Sequence, residues 1–155
     1  MNALGTGLAI FFIDNLGRRY IMLRTLPGVL GSLIIVATGF YLTLFTENFV
    51  TLGNYFSLIG LVVYLAFFSI GMSSTVWSVN TEIYPLELIG SATSLSTATN
   101  WLSNFVVSAT FLSIMKTDVG KVLAFLILSG FTIWAFAFIY LRVPETKGKP
   151  ITENV

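Results

Sequence analysis

Long stretches without a single charged residue constrain this chain more than any other feature. The uncharged runs cover 1–13, 25–46, 48–81, 88–115 and 122–141. A helix needs about 20 mostly apolar residues to cross the hydrocarbon core of a bilayer. The last four runs are long enough, whereas the first would extend only about 20 Å at about 1.5 Å per residue. The sequence therefore predicts an all-α multi-pass membrane protein with four full membrane helices and a truncated first one.

Glycine and proline residues mark the ends of these runs, as expected for helix boundaries. The predicted helices lie near 1–13, 21–45, 54–81, 90–115 and 120–141, and a polar tail covers 142–155. The first run has neither a basic start nor a small-residue cleavage site, so a signal peptide is not indicated. It is better explained as the second half of a membrane helix whose beginning is missing.

The composition excludes several classes of function. Only 10% of the residues are charged, against about 25% in soluble domains. The net charge of +1 gives no indication of a nucleic-acid partner. The chain has no Cys and no His, which removes thiol nucleophiles, Ser–His couples and the usual zinc sites. No enzyme chemistry, cofactor or metal site is therefore expected.

The distribution of basic residues predicts the orientation in the membrane. If the chain crosses at each predicted helix, then 14–24, 82–89 and 142–155 lie on one side, with 46–53 and 116–121 on the other. The first side holds six of the eight Lys and Arg residues. The excess of basic residues marks the cytoplasmic side. We therefore expect a cytoplasmic C-terminus, and the segment "DNLGRRY" by itself needs no other explanation than a basic anchor.

The fourth predicted helix is too polar for a surface that faces lipid. It opens with "GSATSLSTATNWLSNF", and Asn100 and Asn104 lie one turn apart on the same face. An amide side chain without partners in lipid would cost about 2–7 kcal/mol, so this face must meet other helices or water. Asn100 beside the aromatic Trp101 suits a sugar or polyol. Close helix packing with an interfacial Trp is the alternative, and the spacing alone slightly favours it.

The third predicted helix contains a second irregularity, "FFSIGMSSTVWSVNTEIYP". Small residues from Gly71 to Thr75 weaken or crowd the helix near its middle, before Trp77. Irregular backbone at membrane depth is tolerated where it lines a cavity. A bent packing helix that ends at Glu82 is the alternative, and the sequence does not decide between the two.

Four segments together resemble the sugar porters of the major facilitator superfamily. "DNLGRR" resembles the loop between the eighth and ninth helices, and "VWSVNTEIYPLELIG" the end of the tenth helix with its loop. "NWLSNF" resembles the eleventh-helix signature, and "VPETKGK" the signature after the twelfth. They occur in the family's order and at its spacing. The resemblance implies the C-terminal portion of a twelve-helix transporter, starting inside the eighth helix and closest to proton-coupled myo-inositol transporters, with hexose transporters next.

The resemblance also implies roles for particular residues. Positions of substrate contacts in the family correspond to Asn2, Trp77, Asn100 and Trp101. The cytoplasmic charges that form ion pairs in the outward-facing state and separate when the transporter opens inward correspond to Arg18, Arg19, Glu82 and Glu145. The implied partners are a sugar or polyol, with or without protons, the lipid bilayer, and the N-terminal helix bundle of the same transporter. The implied location is the plasma membrane.

The chain also departs from the family pattern at three places. Ser69 stands where glucose facilitators commonly carry an acid, which argues against a carboxylate contact to sugar. The proline-rich stretch of the tenth helix is replaced by "GMSSTVW". Ile89 stands where the loop usually offers an Arg, so one cation of the ion-pair network is missing.

Two classes of function remain open from the sequence. One is transport of a sugar or polyol by alternating access, as part of a longer transporter. The other is a truncated, non-transporting membrane protein or an accessory helix bundle. A membrane enzyme is weakly supported, because the predicted spans contain no His, no Cys and no pair of acids.

Overall fold

A computed structural model describes residues 17–73 and 75–145, which form a helical bundle. The predicted helix near 1–13, with Asn2, and the end of the tail fall outside these residues. Five α-helices and one 3₁₀-helix are formed within the described ranges. They are α1 (Arg18–Phe45), the 3₁₀-helix Glu47–Phe49, α2 (Val50–Gly71), α3 (Thr75–Glu82), α4 (Ile89–Ile114) and α5 (Asp118–Arg142). The described part of the chain contains no strand, so the expected all-α class is confirmed.

The single helix predicted over 54–81 is two helices, and this corrects the sequence analysis. Helix α2 ends at Gly71, and α3 begins at Thr75. The backbone amides of Met72 and Ser73 both donate to the carbonyl oxygen of Phe68, at 2.9 and 3.2 Å. A bond from an amide to the carbonyl five residues earlier, as from Ser73 to Phe68, is typical of the C-terminal end of a helix. The helix therefore ends at this place although no proline is present.

Helices α1 and α2 approach so closely that their glycines cannot be replaced freely. A Cβ at Gly39 would lie 2.6 Å from the backbone nitrogen of Ser57 and 2.8 Å from the carbonyl oxygen of Gly53. At Gly60, a Cβ would lie 2.7 Å from the Cγ2 of Val36. Small residues let helix backbones approach closely in membranes, where packing contacts replace the hydrophobic effect as the main attraction.

Helix α1 is the centre of the described bundle. One buried cluster joins α1 to α5 through five apolar residues: Val29, Leu33, Val36, Ala37 and Phe125. A second cluster joins α1, α3 and α5 through Met22, Leu26, Val79 and Ile139. The rings of Phe40 and Phe125 stack with centroids 5.4 Å apart. These contacts fix α3 and the end of α5 against the beginning of α1.

Helix α5 illustrates how local sequence sets the ends of a helix. The Thr117 hydroxyl accepts a hydrogen bond from the backbone amide of Gly120 at 3.1 Å, which caps the beginning of the helix. Asp118 lies in the first turn and Arg142 in the last. Each charge has the sign that the helix dipole favours at that end.

Helix α4 is attached to the rest only loosely, since none of its residues is buried. Three segments are long and apolar enough to cross a membrane: Arg18–Phe45, Glu47–Glu82 and Asp118–Arg142. Helix α4 has the length but is not among them, so three of the four predicted full spans meet this criterion. Its hydroxyl and amide side chains lower its hydropathy, and this polarity requires partners other than lipid.

Candidate functional site

A groove of about 450 Å³ lies between α4 and the broken α2–α3 segment. We call it the Trp77 groove. Its lining residues are Phe68, Met72, Ser73, Val76, Trp77, Asn80, Ser96, Asn100 and Asn104. The groove contains two of the predicted substrate residues, Trp77 and Asn100, on different helices. Its volume lies within the range of about 300–1,000 Å³ that is common for small-molecule sites.

Helix periodicity explains why these residues share the groove. Trp77 and Asn80 are three residues apart on α3, and Ser96, Asn100 and Asn104 follow at intervals of four on α4. Residues three or four apart lie on the same face of an α-helix. The turn over residues 83–88 brings the two faces together, so that a polar stripe of α4 lies opposite the indole and amide of α3.

The amide side chains of the groove carry more hydrogen-bonding groups than the hydroxyls of α4. Outside the groove, hydroxyls of α4 donate to backbone carbonyls one turn earlier, as in Thr99 to Leu95 at 2.9 Å and Thr110 to Val106 at 2.8 Å. In the groove, the Asn104 amide donates to the backbone oxygen of Asn100 at 3.0 Å. Asn80 is half-buried, and Asn100 is exposed. These two amides face the groove, where a ligand could take both a donor and an acceptor from each.

A second, more open groove of about 570 Å³ continues along α4. It is lined by Tyr84, Ala92, Leu95, Ser96, Thr99, Asn100 and Ser103. Ser96 and Asn100 line both grooves. Asn100 therefore lies at the junction of the two, which places its amide within reach of anything that moves between them.

Trp101, a third predicted substrate residue, does not line the Trp77 groove. Trp101 is 67% exposed and lies about 100° around α4 from Asn100, since successive helical residues differ by that angle. Ser69, which stands in place of the family's acid, is buried at 2% exposure and does not line the groove either. Asn2 lies outside the described residues. The predicted roles of Trp101 and Asn2 stay predictions.

Three of the four predicted gate residues meet at one end of the bundle. The Arg18 guanidinium donates to Glu82 Oε1 through Nη2 at 3.1 Å, and the Arg18 backbone amide donates to Glu145 Oε1 at 3.0 Å. The side chains of Arg18 and Glu82 are 19% and 26% exposed, so water screens this pair only partly. We call Arg18, Glu82 and Glu145 the charged cluster. It joins the beginning of α1, the end of α3 and the segment after α5.

Gly17 gives the charged cluster its geometry. Its φ angle of +91° is one that side chains other than glycine rarely adopt. A Cβ at this position would also lie 2.9 Å from a carboxylate oxygen of Glu145. The glycine of "DNLGRR" thus lets the Glu145 carboxylate approach the first amide of α1, where the helix dipole favours a negative charge.

Arg19 forms a different contact from the ion pair that the resemblance implies. Its Nη2 donates to the backbone oxygen of Tyr140 at 2.6 Å, and its guanidinium lies 5.9 Å from the centroid of the Tyr140 ring. Arg19 therefore fastens the beginning of α1 to the last turn of α5. The Nε atoms of Arg18 and Arg19 are buried without a hydrogen-bond partner among the described residues.

The sequence analysis did not assign Asn80, Ser96 or Asn104 to the site. Spacing had put Asn104 on the face of Asn100 without giving it a role. The same signal could have found Ser96, four residues before Asn100, and Asn80, three residues after Trp77. Their membership of one groove depends on the turn between α3 and α4, which no periodicity reveals. Within residues 17–73 and 75–145, no group of His, Cys, Asp and Glu could hold a metal ion.

Comparison with known proteins gives one consistent result. The Sugar (and other) transporter family model matches residues 1–154. Myo-inositol transporter 1 of Cryptococcus neoformans is 31% identical over 99% of this chain and 28% of its own length. The proton myo-inositol cotransporter of Caenorhabditis elegans is 42% identical over 59% of this chain and 15% of its own length.

A solved structure agrees with these relatives. A crystal structure of XylE with two introduced tryptophans has a TM-score of 0.87 and 27% identity, over 99% of this chain and 32% of that chain. The chain spans less than a third of the length of the curated relatives that it matches. With a family match over almost every residue, the chain belongs to the Sugar (and other) transporter family, the sugar porters of the major facilitator superfamily.

Proposed function

We propose that this chain forms part of the C-terminal bundle of a transporter that moves a sugar or polyol across a membrane. The observation that carries the proposal is the presence of Trp77 and Asn100 in one groove, on two helices joined by a turn. In this proposal the groove is one half of the substrate site. The opposite half comes from an N-terminal bundle, in keeping with the greater length of the relatives.

The chemistry of the groove suits a polyhydroxylated ring. The face of the Trp77 indole can pack against C–H groups, while the amides of Asn80 and Asn100 can donate to and accept from hydroxyls. None of the residues that line the groove is acidic or basic. A neutral substrate therefore leaves no charge unpaired in the groove, whereas an ionic one would pay a desolvation penalty without a counter-charge.

The charged cluster supports transport by alternating access. Its three residues belong to segments that hold α1, α3 and the end of α5 together, and the cluster lies at one end of the bundle. An ion pair of this kind biases the equilibrium between two conformations if it forms in only one of them. We propose that Arg18, Glu82 and Glu145 stabilise the outward-facing state. The Nε atoms of Arg18 and Arg19, which have no partner among residues 17–73 and 75–145, leave donors for acceptors from the other bundle.

The names of the relatives suggest a particular substrate and the coupling of transport to protons. Two of them are named as myo-inositol transporters, and one of these as a proton cotransporter. We propose myo-inositol as substrate, with a hexose as the alternative, and proton coupling through an acid outside the groove. We further propose a cytoplasmic C-terminus, supported by six of the eight basic residues on one side, and a location in the plasma membrane.

Uptake measurements test the proposal directly. The full-length protein is reconstituted in liposomes, and uptake of labelled myo-inositol and labelled glucose is followed with and without an inward proton gradient. We expect saturable uptake of at least one of the two. Absence of both, with the protein shown to be folded and inserted, overturns the proposed function. Uptake that does not respond to the gradient overturns proton coupling alone.

The role of the charged cluster is tested separately. This chain has no cysteine, so once any cysteine elsewhere in the full-length protein is replaced, a single Cys placed on the cluster side of the groove reports access from that side. Arg18→Glu should increase its labelling, because the reversed charge repels Glu82. Arg24→Ala is the matched control, as Arg24 is exposed and lies 5.1 Å from the Tyr20 ring instead of in the cluster. Equal labelling in Arg18→Glu and the unaltered protein contradicts the gate.

A further inference from the structure

We propose that Asn80 contacts the substrate and selects a cyclic polyol over a hexopyranose. This inference rests on the proposed function and names the substrate feature that its site recognises. Asn80 lines the Trp77 groove together with Trp77 and Asn100. Neither the resemblance nor the comparisons assign it a role.

The position of Asn80 relative to Trp77 suits simultaneous contact with one ring. The two residues are on the same face of α3, and three residues correspond to about 4.5 Å along a helix axis. A six-membered ring packed on the indole therefore has its edge hydroxyls within reach of the amide one turn away. Asn80 lies towards the end of the bundle that holds the charged cluster, and Ser96 lines the groove on the facing helix.

The amide of Asn80 is available for this contact. The two polar side chains that follow it on α3 are already bonded within the protein: Thr81 donates to the backbone oxygen of Ser78 at 2.9 Å, and the carboxylate of Glu82 accepts from Arg18. Asn80 is half-buried, so a ligand in the groove would take the place of water around its amide. A buried amide that loses a partner costs more than an exposed one, which is the condition for strong discrimination.

The choice between substrates follows from hydrogen-bond complementarity. A carboxamide presents one acceptor oxygen and two donor hydrogens side by side. Two neighbouring hydroxyls of a cyclitol can satisfy both, because one donates while the other accepts. A hexopyranose that places its ring oxygen at this position offers no donor, so the Asn80 carbonyl oxygen would be left unpaired. Such a mismatch rejects a ligand far more strongly than the loss of an apolar contact.

Monodeoxy-inositols test the contact at the level of single hydroxyls. Full-length transporter is reconstituted in liposomes, and Vmax/KM is measured for myo-inositol, glucose and each monodeoxy-inositol as substrate. Asn80→Leu should lower the value for myo-inositol about tenfold and that for glucose less than threefold. One deoxy compound lacks the hydroxyl that faces Asn80. With the unaltered protein, its Vmax/KM should be lower than that of myo-inositol. In Asn80→Leu the two values should be equal.

The controls separate contact from structural damage. Thr81→Val alters the same helix at a hydroxyl bonded within the helix, and should leave all values within twofold. Asn80→Asp has nearly the shape of the amide and lacks its donor, so it serves as the second variant if Asn80→Leu does not fold. It should lose part of the preference for myo-inositol over glucose. Equal loss for every compound, or no loss for any, overturns the role of Asn80.

The same experiment distinguishes this inference from the proposed function. If the unaltered protein takes up neither myo-inositol nor glucose, the proposed function falls, and the role of Asn80 falls with it. If it takes up glucose and not myo-inositol, the transporter function stands while the selection of a cyclitol is overturned. Selective uptake of myo-inositol that persists in Asn80→Leu also overturns the inference.

Discussion

Helices α1 and α4 have similar lengths and opposite environments. Ten residues of α1 are buried, among them Val36 at 0% exposure, whereas no residue of α4 is. Hydroxyls of both helices donate to their own backbone, as Ser32 does to Val29 in α1 and Thr99 to Leu95 in α4, but α4 also carries amide side chains that line a groove. The first helix is the scaffold of the described bundle, and the second carries the candidate site.

The difference between α1 and α4 shows which polar side chains remain free to bind a ligand. A hydroxyl that bonds to its own helix adds little polarity to the surface, so α1 can be buried among apolar helices. The amides of Asn100 and Asn104 cannot be satisfied in full by their own helix. Helix α4 is therefore suited to contact with water, a substrate or another bundle.

The largest expected effect tests the scaffold. Gly39→Ala places a Cβ against backbone atoms of Ser57 and Gly53, which cannot move unless the helices separate. We expect the free energy of unfolding to fall by about 2–3 kcal/mol, as for overpacked cores. The loss of stability is measured by heating both proteins in detergent and monitoring the folded fraction by size-exclusion chromatography.

A matched control exists on the same helix. A Cβ at Gly31 meets no atom within 4 Å, so Gly31→Ala should change stability by less than about 1 kcal/mol and in the stabilising direction. Equal destabilisation by both substitutions would mean that helix α1 does not depend on close approach to α2.

The next effect tests α4 as a site rather than a scaffold. Asn100→Leu should leave the unfolding temperature nearly unchanged, because Asn100 is exposed, and should raise KM for the substrate about tenfold, or about 1.4 kcal/mol. Uptake kinetics and thermal unfolding are measured on the same preparation. A large loss of stability with unchanged KM would reverse the roles assigned to α1 and α4.

A smaller effect concerns the contact between the scaffold and the site. Arg18 of α1 and Glu82 of α3 should show a coupling energy of about 1 kcal/mol in a double-mutant cycle with Arg18→Ala and Glu82→Gln, reduced by partial exposure of the pair. Stability of the three variants at low and high salt gives the value. A coupling energy of zero at low salt would show that the pair does not hold α3 to α1.

The smallest effect is expected on α4 outside the groove. The Thr110 hydroxyl donates to the backbone oxygen of Val106 at 2.8 Å. Removing this hydroxyl leaves no group unpaired, because the Val106 oxygen also accepts a backbone hydrogen bond of the helix. Thr110→Val should change both stability and transport within about 0.5 kcal/mol. A transport defect in this variant would extend the functional face of α4 beyond the Trp77 groove.

Several parts of the fold could be predicted from residue patterns alone. Uncharged runs long enough to cross a bilayer predicted the membrane helices, since charges are expensive in hydrocarbon. The break near Gly71 was foreseen only as a weakness, because helix propensity does not say whether a run of small residues bends or ends a helix. The low hydropathy of α4 follows from the same residues that first indicated a site.

The candidate site was predicted in part. Trp77 and Asn100 were named from a resemblance, and the structure places them in one groove. Asn80 and Ser96 were missed because membership of a groove depends on the turn between α3 and α4. Arg19 was expected in an ion pair with the acids, yet it donates to Tyr140, because α5 ends beside the beginning of α1.

The sequence by itself determined the membrane character, the helical class and the family of this protein. These properties depend on local composition and on the order of short motifs, both of which are visible in the sequence without the tertiary structure. The tertiary structure decided which helix is scaffold, where the long helix ends, and which amides face one groove. Those features arise from contacts between residues distant in the chain, and local patterns contain no record of which faces will meet.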